Sequence, residues 1–296
     1  MITQSAELTH AFVKTNGINL HVVQAGPEDG PLLIFLHGFP EFWYGWRGQI
    51  AYFAARGYRV WAPDQRGYNL SDKPRDLERY NQDYLAADLV GLIDAAGREK
   101  AFVVGHDWGA AVLWWAAIQY PERLEKIAIL NVPHHSVFRK KLRESGDQRR
   151  RSWYVAFFQI PWLPEAVISP MQARGLARTL QASSRAGTFT DADLAEYQRA
   201  WSQPGALTAM LNWYRAVAQR PPAHLPTRRV TVPTLILWGK KDFALRPEMA
   251  QESVEYCDDG RLVYFDEATH WIQHEETDRV NALIDEFFSA NSPPKG

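Results

Sequence analysis

Six short apolar runs constrain this chain more than any other feature: PLLIFLHG from Pro31, YRVWAPD from Tyr58, AFVVGHD from Ala101, EKIAILNV from Glu125, TLILWGK from Thr234 and RLVYFDE from Arg261. Each has strand length and is apolar at nearly every position rather than every second one. That is the pattern of a strand buried on both faces of a parallel sheet. WYGWRGQIAYFAARG, YLAADLVGLIDAAG and AAVLWWAAIQY, which lie between the runs, carry apolar residues at helical spacing. The alternation predicts an α/β architecture. HAFVKTN and INLHVVQ come first, separated by a Gly-containing turn, and predict an antiparallel hairpin.

The alternation stops from about Pro133 to Leu225. LAEYQRAW and ALTAMLNWYRAVAQR read as helices there, no strand-like run occurs, and the stretch closes on the breaker cluster RPPAHLPT. The expected organisation is therefore a core of residues 1–133 and 225–296 with a helical cap of residues 134–224. An insertion leaving a strand's C-terminal end lies over the place where open α/β sheets bind ligands, so it is expected to act as a lid. The closing NSPPKG reads as a frayed tail.

Charge and cysteine content exclude several functions. With 33 basic and 34 acidic residues the net charge is −1, so no global field favours nucleic acid or an anionic membrane. The local basic run RKKLRESGDQRRR, residues 139–151, is read as a solvated lid face. The single cysteine, Cys257, excludes an internal disulfide, and MITQSAELTH lacks a basic segment followed by an apolar run. No stretch reaches the roughly 18 apolar residues of a membrane span. A cytoplasmic enzyme with a small uncharged partner is expected, and the sequence does not choose between monomer and homodimer.

VVGHDWGAA, residues 103–111, sets Gly105 and Gly109 two places either side of Asp107. A Gly-x-Asp-x-Gly pattern alone is weak, because Asp and Gly are common in turns. Its position between a strand run and a helical run is the context of a nucleophile elbow, a strained turn that lifts a reactive side chain off the sheet. LHGFP can aim the Phe39 N–H at a site shared with the N–H of Trp108, forming an oxyanion hole. Asp242 follows TLILWG and His270 follows RLVYFDE, so nucleophile, acid and histidine come in the order found in α/β hydrolases. Singly, Asp242 could be a helix cap and His270 a loop histidine. Together at three strand ends they read as a triad. His270 and His274 are four apart, but H-E-x-x-H is absent and no third ligand stands nearby in sequence, so zinc is not expected. His134 and His135 are read as hinge residues of the lid.

A carboxylate nucleophile narrows the chemistry. Aspartate, with an ordinary pKa of about 3.9, is ionised at neutral pH without a base. Attack on an ester would give a more reactive anhydride, whereas attack on a saturated carbon gives an ordinary alkyl ester. The substrate should therefore carry a leaving group on sp3 carbon, an epoxide oxygen or a halide. An epoxide oxygen needs proton donors, and tyrosine phenols supply them. Tyr154 and Tyr214 in the lid are candidates, although a tyrosine in a helical segment is more commonly a core aromatic.

Over nearly its whole length the chain resembles the soluble-type epoxide hydrolases of the α/β-hydrolase fold. LHGFPEFWYGWR, APDQRGYNLSDKP, VVGHDWGA, WYVAFFQ, LNWYR, WGKKDFAL and THWIQHE look like that family's motifs. The resemblance implies a mostly parallel sheet with helices on both faces and a helical lid insertion. It makes Asp107 the nucleophile, Asp242 and His270 the relay pair, and Tyr154 and Tyr214 the holders of the epoxide oxygen. It also implies a cis peptide at Phe39–Pro40. No metal or organic cofactor is implied; the partners are a small apolar epoxide and water.

Haloalkane dehalogenases, which share the Asp-Trp elbow, are the alternative. Many of them place Asn where this chain has Phe39, and others use a lid tryptophan, for which Trp153, Trp162, Trp201 and Trp213 are available. Fluoroacetate dehalogenases place arginines where this chain has Trp108 and Ala111, which argues against a carboxylate gripped beside the nucleophile. A noncatalytic hydrolase-like receptor would not need the intact set Asp107, Asp242 and His270.

Overall fold

The computed structural model describes residues 7–168, 172–220 and 227–290; the breaker RPPAHLPT, the 224/225 boundary and the NSPPKG tail lie wholly or partly outside the described residues. Eight strands form one sheet: β1 (Thr9–Thr15), β2 (Ile18–Ala25), β3 (Leu32–Leu36), β4 (Arg59–Pro63), β5 (Ala101–His106), β6 (Leu124–Leu130), β7 (Thr234–Gly239) and β8 (Gly260–Phe265). Their order is β1-β2-β4-β3-β5-β6-β7-β8. The hairpin is antiparallel and joins β4 antiparallel, while every pairing from β4 through β8 is parallel. The six apolar runs are thus the parallel part of the sheet.

Burial explains the run pattern. β3 and β7 are buried at every position, as strands covered on both faces must be, whereas β1 on the edge exposes Phe12. Side chains alternate between faces. Ile34, Val103, Ile127 and Ile236 share one core with α2 (Gln82–Ala95) and α3 (Trp108–Gln119). Leu33, Phe35, Leu130 and Leu237 share the other with α1 (Arg47–Ala54) and a C-terminal helix at Thr277–Ser289.

Between β6 and β7 the chain forms α4 (His135–Glu144), α5 (Gly146–Arg151), α6 (Trp153–Phe157), α7 (Leu163–Ile168), α8 (Gln172–Ser183), α9 (Asp191–Trp201) and α10 (Ala206–Gln219), with no strand among the described residues. α9 starts on a capping box in which Thr190 and Asp193 satisfy each other's end groups. These helices are anchored over the strand ends by polar contacts. The Trp201 indole donates to the Pro40 carbonyl at 2.6 Å, the Trp213 indole to the Arg66 carbonyl at 2.9 Å, and the Tyr197 hydroxyl to Glu41 at 2.7 Å. The remaining helices are α11 (Glu248–Val254), α12 (Ile272–Glu275) and the Thr277–Ser289 helix, α13. No helix of the described residues is long and apolar enough to cross a membrane.

Candidate active site

Asp107 stands between the end of β5 and the start of α3 with φ 48° and ψ −124°, a conformation that L residues rarely adopt. Strain of this kind costs of order 1–3 kcal/mol and persists only where the surroundings enforce it. Here close packing enforces it. A Cβ on Gly109 would sit 2.1 Å from the Leu36 carbonyl oxygen, so α3 can approach β3 only with glycine there. Gly38 has the same role on the other side, since its Cβ would meet that of Asp107 at 2.3 Å.

The Gly38 loop brings a donor to the carboxylate. The Phe39 N–H donates to Asp107 Oδ1 at 2.7 Å, and the Phe39–Pro40 peptide is cis. The Trp108 N–H occupies the first position of α3, where no helical carbonyl precedes it. His37 holds the loop from behind: its Nε2 accepts from the Gln65 N–H at 3.0 Å, which places the ring proton on Nδ1, facing the Gly38 carbonyl at 3.0 Å. Burial pushes the His37 pKa down, so this brace stays neutral.

His270 lies between two carboxylates. Its Nδ1 is 2.6 Å from Asp242 Oδ2, and its Nε2 is 3.5 Å from Asp107 Oδ2. Asp242 is itself fully engaged, accepting from the N–H groups of Ala244 and Leu245 at 2.7 and 2.9 Å and from the Asn131 amide at 2.7 Å. Asn131, at the end of β6 with φ 53°, also accepts the Gly239 N–H at 3.0 Å. It ties the strand end to the acid and was not singled out in the sequence. An asparagine at the end of the strand between those that lead to Asp107 and Asp242 is the available signal.

Charge follows from this arrangement. Burial lowers the His270 pKa, but Asp242 first and then Asp107 outweigh it and lift the imidazole to about 10. Burial likewise opposes ionisation of Asp107, but His270, His106 and the Phe39 N–H hold its carboxyl below the usual carboxylate range. At neutral pH the site therefore holds a cationic His270 beside an ionised Asp107.

Tyr154 on α6 and Tyr214 on α10 face the same cavity as Asp107, their rings 6.0 Å apart and nearly perpendicular. The cavity holds about 430 Å³. Burial and the neighbouring Asp107 push both phenols up from their ordinary value, so both keep their protons. The Trp108 ring stands edge-on to that of Tyr214, their centroids 4.9 Å apart.

The lid tryptophans do not form a halide cradle. Trp201 and Trp213 donate to backbone carbonyls, and Trp153 and Trp162 are 64% and 74% exposed. His274 is not beside His270 as a ligand pair but contacts Glu41 at 2.7 Å. Among the described residues no cluster of three or more His, Cys, Asp or Glu is arranged for a metal. His134 caps α4, accepting the Ser136 N–H at 3.2 Å, while His135 lines the cavity.

With this geometry in place, the sequence relationships are specific. Residues 31–277 match the family described as alpha/beta hydrolase fold. Human epoxide hydrolase 4 is 39% identical over 97% of this chain and 81% of its own length. The AB hydrolase superfamily protein YfhM of Bacillus subtilis is 49% identical over 93% and 96%. The crystal structure of Bacillus megaterium epoxide hydrolase with an inhibitor superposes with a TM-score of 0.85 at 31% identity, covering 95% of this chain and all of that one. The chain belongs to the epoxide hydrolase family of the alpha/beta hydrolase fold.

Behind the site, the hydrolase has a second buried polar cluster. Glu41 contacts His274 at 2.7 Å, His106 at 3.2 Å, Gln273 at 2.9 Å and Tyr197 at 2.7 Å. His106 Nε2 in turn lies 2.8 Å from the His270 carbonyl oxygen. Burial disfavours the Glu41 anion, yet His274 and His106 hold its pKa well below the ordinary range. One carboxylate thus links the Phe39 loop, the residue before Asp107, the His270 loop and α9. The sequence offered only a weak signal for it, an acid directly after the LHGFP loop.

Proposed function

We propose that the chain is an epoxide hydrolase that converts an epoxide to a vicinal diol through an alkyl ester on Asp107. The observation that carries this reading is the meeting of a strained, ionised Asp107 with two protonated phenols across one cavity. Phe39 holds Oδ1, which leaves Oδ2 to attack a ring carbon. The carbon–oxygen bond breaks, and the ring oxygen takes a proton from Tyr154 or Tyr214. Esterification removes one of the two anions that keep His270 protonated. His270 then sheds its proton, which balances the one given up by the tyrosine.

Neutral His270, oriented by Asp242, next removes a proton from water, and the water oxygen attacks Cγ of Asp107. The oxyanion develops on Oδ1, where the N–H groups of Phe39 and Trp108 receive it. Collapse releases the diol and restores the carboxylate beside a cationic histidine. Residues 134–224 act as a cap in this reading, carrying both phenols. Water and the chain's own residues supply every proton and oxygen, so no cofactor enters. The free, buried Cys257 fits a cytoplasmic setting.

The test is a parallel assay of styrene oxide and 1-bromobutane, followed by a single turnover of the epoxide in 18O-water with enzyme in excess. Diol without bromide release is expected, largely unlabelled, with 18O appearing in the peptide that contains Asp107. Label in the diol at the first turnover would overturn the ester, and bromide release without diol would select the dehalogenase.

A further inference from the structure

Tyr154 and Tyr214 stand on helices of very different length. α10, which carries Tyr214, runs for 14 residues, whereas α6, which carries Tyr154, has 5 and no side-chain cap at its N-terminus. A helix that short does not hold its own place and depends on what packs or clamps it. The clamp is at its other end, where the chain turns through Phe158 to Trp162 before α7. The side chain that reaches this turn is Arg215, next to Tyr214 in sequence and buried.

Arg215 Nε donates to the Phe158 carbonyl at 2.9 Å, and Nη2 donates to the Ile160 carbonyl at 3.1 Å. Nη1 and Nη2 also grip the two carboxylate oxygens of Glu165 on α7, at 2.6 and 2.9 Å. Phe158 closes α6, so its carbonyl is one that the helix end leaves without a helical donor. Gln159 adds a second tie, its amide donating to the Tyr214 carbonyl at 2.9 Å. Phe158 is also the spacer between the phenols: its ring centroid lies 5.8 Å from that of Tyr154 and 5.0 Å from that of Tyr214. Successive residues of a helix point about 100° apart, so Tyr214 can face the cavity while Arg215 faces the turn.

We propose that Arg215 is a positioning residue for ring opening: by holding the Phe158 backbone and α7 against α10, it sets the separation at which Tyr154 and Tyr214 meet the epoxide oxygen. This rests on the epoxide hydrolase reading above and adds to it a residue that is not among those lining the cavity. The planar fork is what the task requires, because a lysine brings the same charge as a single point and cannot serve two carbonyls and both carboxylate oxygens at once. Hydrolysis of the ester belongs to His270, Asp242 and the N–H groups of Phe39 and Trp108, none of which Arg215 touches. Its effect is therefore confined to formation of the ester.

The experiment is a mutant cycle on the two half-reactions. Loss of styrene oxide and the rise and decay of the Asp107 ester are followed in a single turnover with enzyme in excess, by rapid quench and mass spectrometry, and fitted as two consecutive steps. The enzymes are the wild type, Arg215→Gln, Tyr154→Phe with Tyr214→Phe, and the triple variant. Arg215→Gln should slow ester formation about 10- to 100-fold, the scale of a misplacement near 1 Å, and leave ester decay within about twofold. In the enzyme lacking both phenols the same substitution should change little, because nothing is left to position. Arg215→Lys should fall between wild type and Arg215→Gln, and it carries the test if Arg215→Gln does not fold. Slowing that is equal with and without the phenols, slowing of decay as large as that of formation, or no slowing at all overturns the inference and leaves the epoxide hydrolase reading standing. Absence of the ester in the wild type overturns that reading and this inference with it.

Discussion

Asp107 and Arg139 line the same cavity but are placed by different physics. Asp107 is positioned by backbone: a strained φ, close glycine contacts on either side, and a main-chain donor at 2.7 Å from its carboxylate. His270 and Asp242 are held the same way, with every acid oxygen accepting a named donor. Arg139 is positioned only by its place on one face of α4 and has no ion-pair partner among the described residues. The lid tyrosines are intermediate, packed by aromatic rings rather than tied by main chain. Rigid placement suits bond making, where small displacements are costly.

The most severe way to break this contrast is to remove His270. In His270→Ala the carboxylate of Asp107 keeps its Phe39 donor, so alkylation should persist, while turnover falls by about 100- to 10,000-fold for want of a base. Mass spectrometry of the variant with styrene oxide should find the ester on the peptide holding VVGHDWGAA. A variant that binds epoxide without forming an adduct would show that the triad end is not built for covalent attack.

A smaller effect is expected where placement is looser. Replacing Tyr154 and Tyr214 together by Phe preserves the packed rings and deletes both phenol donors. Single-turnover alkylation should slow by at least roughly 100-fold, the scale of lost general-acid assistance. Each single substitution should cost less, because the other phenol remains. An unchanged alkylation rate in the folded double variant would move the tyrosines into the packing role that most buried aromatics have.

The same contrast explains what was legible in the sequence. The parallel strands were readable because burial on both faces leaves an unbroken apolar run, and residues at their ends, Asp107, Asp242 and His270, inherit their position from that run. Asn131 and Glu41 sit at equally defined places but are ordinary loop residues in sequence; only their shared partners, Asp242 and His106, reveal their role. Tyr154 and Tyr214 needed the family resemblance, since helical spacing does not separate a phenol that faces a cavity from one in a core. In sequence the basic run 139–151 reads as a solvated lid face. The structure divides it: Lys140 and Lys141 pair with Glu252, Arg150 and Arg151 with Asp147, and Arg139 and Arg143 face the cavity. Charge counts do not carry that division, because it depends on which way each helix face turns.

The smallest expected effect is a shift in one proton, and it tests whether the triad end is coupled as tightly as its distances require. His270 titrates at about 10 because Asp242 and Asp107 both favour its charged form. Asp107→Asn removes one of the two anions and mimics the charge of the ester, so the His270 pKa should fall, as seen by its ring resonances in an NMR titration. The sign for stability follows by linkage. With a folded-state pKa above the ordinary 6.5, the charged histidine stabilises the fold fully below about pH 6.5, and that contribution is lost as pH rises towards about 10. Wild type minus Asp107→Asn, measured as a difference in Tm, should therefore decrease between pH 6.5 and 10, whatever its starting sign, since other titrating groups are common to both proteins. A difference that stays flat across that window, with His270 titrating alike in both, would mean that Asp107 does not hold the histidine's proton, and that esterification is not what turns His270 into a base.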